Sequence, residues 1–441
     1  MAAEIEGVAL PGPRGWPLVG VLPAVARRGF IPVMEEAWRR YGDLFELRVG
    51  ASRVVIVAHP EGVERVLRGN RENYVKGPIY DNLRVLLGEG LATVEGPQWR
   101  IRRRQLQPAF HGRRIRALVP GMIALAERTL EELRARAPTG GIVDVSAEMS
   151  RLTFRMVGQG LFGLDLADQA GHTTQAIAAA LEELAERGST RPRFPLWAPT
   201  PGNLRLRRLI AGLDAQIAAV VAAGRAAGDR GDLLGALVGL RDAGEIDDRE
   251  LRDEILTMFL AGYETVALTL GWCWYLLADE PAVQARIAAE AADGVESGEL
   301  RYTRMVIDEV LRVRPTAWIV ARDAREDDVV MGRRIRSGSI VLCAQYLVHR
   351  HPEFWSEPER FDPERWDRER PALRHDFAYF PFSKGPRVCV GADFGLTECQ
   401  VVVATMARAL TVSRPAGGEV GLRPLNNLRP DRPIRLAIRW R

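Results

Sequence analysis

The sequence almost lacks lysine. Only Lys76 and Lys384 occur among 61 basic residues, so nearly every cation is an arginine. The formal net charge is a modest +4, which excludes the strongly basic surface of a nucleic-acid binder. Cysteine is scarce as well. Cys273, Cys343, Cys389 and Cys399 form no CxxC pair, which argues against a disulfide framework or a zinc site. The six histidines show no HExxH spacing. Long apolar runs are missing: the longest, "ALTLGWCWYLLA" (267–278), falls short of the ~20 residues that span a bilayer. It reads as a buried core helix. The opening "MAAEIEGVALPGPRGWPLVG" is interrupted by acids and prolines, so neither a leader nor a membrane anchor is expected. A reduced, cytoplasmic chain follows.

The periodicity that is present is mostly helical. "IPVMEEAWRRYGDLFELRVG" reads as a helix and the start of a strand, and "SRVVIVAHP" as a strand. From Trp99 to about residue 290 the pattern is helical, with breaks expected at Pro120, at 138–141 and in the loop 190–203. β-Branched runs return after Arg322. A Pro- and charge-rich irregular stretch, 350–388, precedes a final helix, and "RPIRLAIRW" reads as a closing strand. One α-rich domain with small sheets is expected over 1–441: a β-containing part to about 75, a helical core over about 97–315, and an irregular loop at 382–391.

That loop carries the clearest chemistry. Phe382, Gly385, Arg387, Cys389 and Gly391 sit in "FSKGPRVCVG". Gly385 permits a tight turn and Pro386 stiffens it. A helix starting just past Cys389 favours an anionic sulfur. Arg387 can neutralise an acidic group of a bound cofactor, and Gly391 lets backbone approach a flat ligand. A lone cysteine is more often a small buried hydrophobe; the full spacing argues for a metal-bound thiolate. Three further groups stand out. Glu309 and Arg312 lie i, i+3 in "IDEVLRVRP", upstream of "FDPERW" with Arg365. "MFLAGYETVALTLGW" is apolar all round, so its Glu264 and Thr265 need partners. The bland reading has Thr265 bonded to its own helix and Glu264 paired with a distant arginine. The sharper one has Gly262 weakening the helix and a groove opening beside Thr265. Trp99 and Arg103 lie i, i+4 in an arginine-rich helix starting near Pro97.

Taken together, the "FSKGPRVCVG" loop and these motifs resemble the cytochrome P450 family, from about Pro11 to the C-terminus. The resemblance implies a mainly α fold with small β-sheets and haem b held between a long buried helix and the cysteine loop. It implies Cys389 as the iron ligand, with Phe382 and Gly391 beside the haem. Trp99, Arg103, Arg322 and Arg387 then serve the propionates. Glu309, Arg312 and Arg365 form a structural network. Ala261, Gly262, Glu264 and Thr265 match the oxygen-activating helix, with Thr265 and Glu264 delivering protons. Tyr263, Arg336 and His351 depart from the family pattern.

The implied activity is O2-dependent oxidation of a hydrophobic small molecule such as a terpene, a fatty acyl chain or a polyketide. The expected substrate walls are 78–94, 255–268, Thr316–Val320 and Leu425–Asn427, with Leu91, Phe259, Ala317, Trp318, Ile319 and Asn426 lining them. With no flavin or iron–sulfur segment in the sequence, electrons are expected from a separate ferredoxin docking on Arg100, Arg102, Arg104 and Lys384. A monomer is expected. A peroxide-driven enzyme and a non-enzymatic haem sensor are the rival readings.

Overall fold

The computed structural model describes residues 7–77, 80–189, 195–227, 231–292, 294–297, 299–367 and 375–441. Parts of the expected 78–94, 190–203 and 350–388 segments therefore lie outside the described residues. The chain divides into two compact units, each assembled from two separated stretches.

The first unit comprises Met1–Asp81 and Leu311–Cys389. Its core is a five-stranded sheet in the order Leu44–Val49, Ser52–Val57, Ile340–Cys343, Val320–Ala324, Tyr74–Val75. The one parallel pairing joins Ser52–Val57 to Ile340–Cys343. These segments are rich in β-branched residues that suit a pleated surface. Val55, Val57, Val341 and Cys343 bury together with Leu67, Phe377 and Phe380. Each of the two phenylalanines is about 1% exposed and contributes roughly 2–3 kcal/mol of burial. Asp328 ties the edge: it accepts from Arg65 Nη2 (2.7 Å), Arg65 Nε (3.2 Å) and the Tyr74 hydroxyl (2.8 Å).

Past Cys343 the described chain has no strand until the unit ends, only the helical turn Gln345–Val348 and short 3-10 turns. Its carbonyls need donors from elsewhere. Arg312, fully buried, donates to the carbonyls of His349 (3.0 Å), Pro358 (2.6 Å) and Arg360 (2.9 Å). Arg365 donates to those of Ser356 and Glu357 (2.8 Å). His349 Nε2 accepts the N–H of Phe380 at 3.0 Å. Burial, with the charges of Arg312 and Arg350, pushes the His349 pKa down to about 3. The ring therefore stays neutral and can accept.

The second unit comprises Asn82–Val310 and Val390–Arg441. Its longest helix, Asp248–Leu277, opens on a reciprocal capping box between Asp247 and Glu250 and packs against Val145–Phe162. Pro120 does not break its helix as expected: Gly112–Arg136 runs through it. The 138–141 break instead leads into a strand, Gly141–Asp144, which pairs with Arg435–Trp440 beside Leu410–Ser413. A hairpin of Leu422–Pro424 and Leu428–Pro430 encloses the expected turn at 425–427. Two described helices, Pro201–Ala226 and Asp248–Leu277, are long and apolar enough to cross a bilayer by length and composition. The second is mostly buried in the fold, and the first carries Arg205, Arg207, Arg208, Asp214 and Arg225 along its length.

The His349 environment predicts an acid-sensitive fold. Its folded pKa lies below the unfolded value of 6.5, so the stabilisation is complete above pH 6.5 and is lost as pH falls from there towards 3. Urea titrations of the wild type should show stability dropping below pH 6.5 by up to about 1.4 kcal/mol per pH unit from this group. His349→Gln, which keeps an acceptor for Phe380, should flatten that slope. An unchanged slope in the variant would show that another group carries the acid sensitivity.

Candidate active site

Cys389 is the one exposed cysteine; Cys273, Cys343 and Cys399 are buried. Burial pushes the Cys273 and Cys343 thiols up to about 12, so both stay protonated and inert. The loop in front of Cys389 is fixed by its own backbone. Cys389 N–H donates to the Phe382 carbonyl (2.9 Å), and Val388 N–H to that of Gly385 (3.1 Å). Gly385 has φ +76°, and a Cβ there would fall on the Leu67 carbonyl oxygen. Only glycine allows that turn at that approach. The Gln345 side-chain amide and His349 hold Phe380 just upstream. Neither residue was singled out from the sequence. Arg387 and Phe382 are half-buried on this loop. Gly391 is the N-cap of Ala392–Ala409, with φ −93° and Phe110 as its nearest neighbour.

On the long helix, Glu264 and Thr265 make the pairings of the bland reading. Thr265 Oγ1 donates to the Ala261 carbonyl at 2.7 Å. Glu264 Oε1 accepts from Arg429 Nε (2.9 Å) and Nη2, in a pair only 8% and 15% exposed. The helix is unbroken at Gly262, where a Cβ would meet Val157 at 3.0 Å. That glycine serves close helix packing; no groove opens by unwinding. Yet Ala261 is exposed and Gly262, Thr265 and Leu268 are half-covered, although Leu260, Glu264 and Ala267 are buried. Ala261, Thr265 and Leu268 share one face, i, i+4, i+7, so the helix keeps an open stripe. Tyr263 is buried, and its carbonyl accepts from Thr153 Oγ1 (3.3 Å). Arg429 was missed because nothing in its spacing separates it from Arg423, Arg432 or Arg435. The usable signal was the helix itself: a buried acid needs a cation.

The helix Gly96–Leu106 lines a hollow of about 370 Å³ with Trp99, Arg100, Arg103 and Arg104, joined by Gln107, Pro108 and His111. Arg102 does not belong to this basic face, contrary to expectation. It is buried and pairs with Glu250 and, at 3.6 Å, with Glu254. Its place in the helix turns it to the acids of the long helix. Lys384 is likewise tied down, to Asp376, with its ammonium 5.6 Å from the Phe377 ring. Arg322 is buried and donates to the Ala321 carbonyl (2.7 Å). Glu309 is fully buried on the helix Arg301–Val313 that also carries Arg312.

Among the expected wall residues, Leu91 is buried, Ala317 and Ile319 are half-buried and Asn426 is exposed. Phe259 is committed to an aromatic stack with Phe162 (4.2 Å) and Phe154 (5.6 Å). Trp318 packs edge-on against Phe30 (5.9 Å). Both are core residues of their units. His351, Asp43 and His59 cluster with ligand-type atoms within 4.8 Å. However, both Nδ1 atoms accept backbone N–H groups, from Glu61 and Glu353. That places the ring protons on Nε2, where His351 faces Asp43 at 3.1 Å. The cluster is a satisfied hydrogen-bond network, since a metal would need those Nε2 lone pairs.

The family model described as Cytochrome P450 matches residues 10–436. The chain belongs to the cytochrome P450 family. Similar proteins include cyclooctatin synthase of Streptomyces melanosporofaciens, 34% identical over 96% of this chain and 94% of that protein. Cyclooctat-9-en-7-ol 5-monooxygenase of the same organism is also 34% identical, over 86% and 87%. Pentalenene oxygenase of Streptomyces avermitilis is 31% identical, over 93% and 96%. The protein is thus a monooxygenase of a haem-thiolate family, with the mainly helical P450 fold. Three observations fit haem in this P450: the single exposed cysteine, the open stripe along an otherwise buried helix, and the hollow lined by Trp99 and three arginines.

The Gly385 turn predicts a specific weakness of this P450. Gly385→Ala should retain helical circular dichroism yet purify with less bound haem per chain. Left-handed backbone strain of about 1 kcal/mol and the clash with Leu67 both act on the loop. Haem content equal to wild type would show that the turn is not needed to hold the loop.

Proposed function

We propose that this P450 oxidises a hydrophobic terpene in the cytoplasm, as a monomer, with Cys389 as the axial thiolate and electrons from a separate ferredoxin. The observation that carries the reading is Cys389 itself: the exposed cysteine, at the end of a loop pinned by Phe382, Gly385 and His349. The terpene class rests on the relatives that modify terpenes at moderate identity. Bound haem supplies the redox-active iron at which O2 is reduced.

The chain's own residues do the rest. Thr265 keeps its hydroxyl proton on the Ala261 carbonyl, which leaves its oxygen as an acceptor on the open stripe. With that carbonyl released, the hydroxyl can pass its proton on only as its oxygen takes up another from solvent, so Thr265 relays a proton rather than supplying one. Glu264, next in the helix and so on a different face from Thr265, is held in place by Arg429. Trp99, Arg103, Arg322 and Arg387 are the proposed propionate donors. With Arg102 and Lys384 engaged elsewhere, the ferredoxin contact reduces to Arg100 and Arg104, both exposed. An acidic partner suits them, and its association should weaken with salt.

The reduced, carbon monoxide-bound wild type should show the red-shifted Soret band of thiolate ligation, and Cys389→His should lose it. A wild type without that band defeats the assignment. Type I spectral shifts should appear with cyclic terpenes. Thr265→Ala should lower product formed per electron pair by roughly 10²-fold while peroxide release rises. Unchanged coupling in that variant would favour a peroxide-driven enzyme.

A further inference from the structure

The turn 88–93, part of the expected substrate wall, is fastened to the long helix by acids that the proposed chemistry does not use. Glu254 Oε2 accepts the N–H of Leu91 at 3.1 Å, and Asp253 Oδ2 that of Glu89 at 2.8 Å. Gly88, at φ +55°, lies against the Asp253 carboxylate, where no side chain would fit. Arg252 adds a donor to the Leu86 carbonyl (2.8 Å) and is itself set by Asp214 (2.7 Å). Inside the turn, Thr93 Oγ1 donates to the Gly88 carbonyl at 2.6 Å.

Glu254 also faces the helix Gly96–Leu106. Its Oε1 lies 3.6 Å from Arg102 Nε, with both side chains at most 4% exposed. Neither atom makes a hydrogen bond. Arg102 Nη2 meanwhile pairs with Glu250. One buried carboxylate thus holds the turn with one oxygen and confronts, with the other, an arginine on the helix of Trp99 and Arg103. Charges this buried are costly unless fully paired, so the unmade contact is a point where a small shift changes the energy sharply. Burial, with Asp253 and Glu250 nearby, pushes the Glu254 pKa up to about 7 against the pull of the Leu91 N–H and Arg102.

We propose that Glu254 is a positioning residue of the substrate pocket: it sets the place of Leu91 and, through Arg102, ties that turn to the helix bearing Trp99 and Arg103. This rests on the reading of 78–94 as a substrate wall. Size selectivity then depends on a carboxylate that touches neither substrate nor haem.

The test uses the holoenzyme with Glu254→Gln, Glu254→Leu and Arg102→Gln. Amide hydrogen exchange at 88–93 is followed by mass spectrometry. Imidazole and 4-phenylimidazole are titrated spectrally as a small and a wall-reaching probe. Glu254→Leu should speed exchange at Leu91 and weaken 4-phenylimidazole relative to imidazole, each by roughly 10-fold, the size of one lost hydrogen bond to a charged group. Glu254→Gln keeps an acceptor and should fall between; it also serves if the leucine variant fails to fold. Arg102→Gln should speed the same amides. Exchange unchanged in the Glu254 variants overturns the proposal, as does faster exchange with an unchanged ratio of the two probes. Unchanged exchange in Arg102→Gln overturns the link to that helix. If the wild type lacks the thiolate Soret band, the Cys389 assignment fails, and exchange at Leu91 still decides whether Glu254 holds the turn.

Discussion

A chain segment without ladder hydrogen bonds survives burial only if donors reach its carbonyls from outside. That constraint governs the described residues between Ala344 and Cys389, and two arginines meet part of it. Arg312 gathers the carbonyls of residues 349, 358 and 360, and Arg365 those of 356 and 357. The irregular path they fix delivers His349 under Phe380, and Phe380 leads into the Cys389 loop. Irregular structure here does not mean looseness. It frees a cysteine from any strand or helix while hydrogen bonds hold the residues around it, which is what a metal-ligand position requires. The histidine in this chain of contacts acts by staying uncharged. Protonated, its Nε2 would become a donor facing another donor, the Phe380 N–H.

The long helix poses the complementary problem. It is apolar on almost every side, yet buries Asp253, Glu254 and Glu264. Each carboxylate recruits a specific donor from another element: the Glu89 N–H, the Leu91 N–H and the Arg429 guanidinium. The acids are therefore the helix's fastening points, for the 88–93 turn near its N-terminal end and for the Leu422–Pro430 hairpin further along. Both of those segments were expected as substrate walls. The polar groups that a core helix tolerates only at cost thus hold two neighbouring segments against it.

How much of this was legible in the sequence depended on whether a signal was local. The strands Leu44–Val49 and Ser52–Val57, the long helix and the Cys389 turn are all written in short-range patterns. Gly385 in particular marked a turn that the φ of +76° requires. Pro120 misled because a proline costs one hydrogen bond in a helix that makes many, and packing of Gly112–Arg136 outweighs it. Arg102 misled because four arginines within five residues read as a solvated face, whereas its helix turns one of them inward to Glu250 and Glu254. Composition alone does not tell a wall from a core for the rings of Phe259 and Trp318, whose packing partners Phe162 and Phe30 are distant in sequence. Arg429, His349 and Glu254 were illegible for another reason. Their partners lie dozens to hundreds of residues away, Phe380 for His349 among them.

The near-absence of lysine acquires a structural meaning through these contacts. Arg312 uses two nitrogens of one planar group to serve three carbonyls held in different directions. Arg65 and Arg429 each present Nε together with Nη2 to a single carboxylate. An ammonium offers three donors from a single point and holds its hydration more strongly, so it would leave carbonyls at 349, 358 or 360 unserved and cost more to bury. Whatever set the composition of the chain, a fold that buries Arg102, Arg155, Arg312, Arg322, Arg350 and Arg365 has become dependent on the guanidinium. Conservative exchange to lysine is therefore least conservative at the positions that support the cysteine loop.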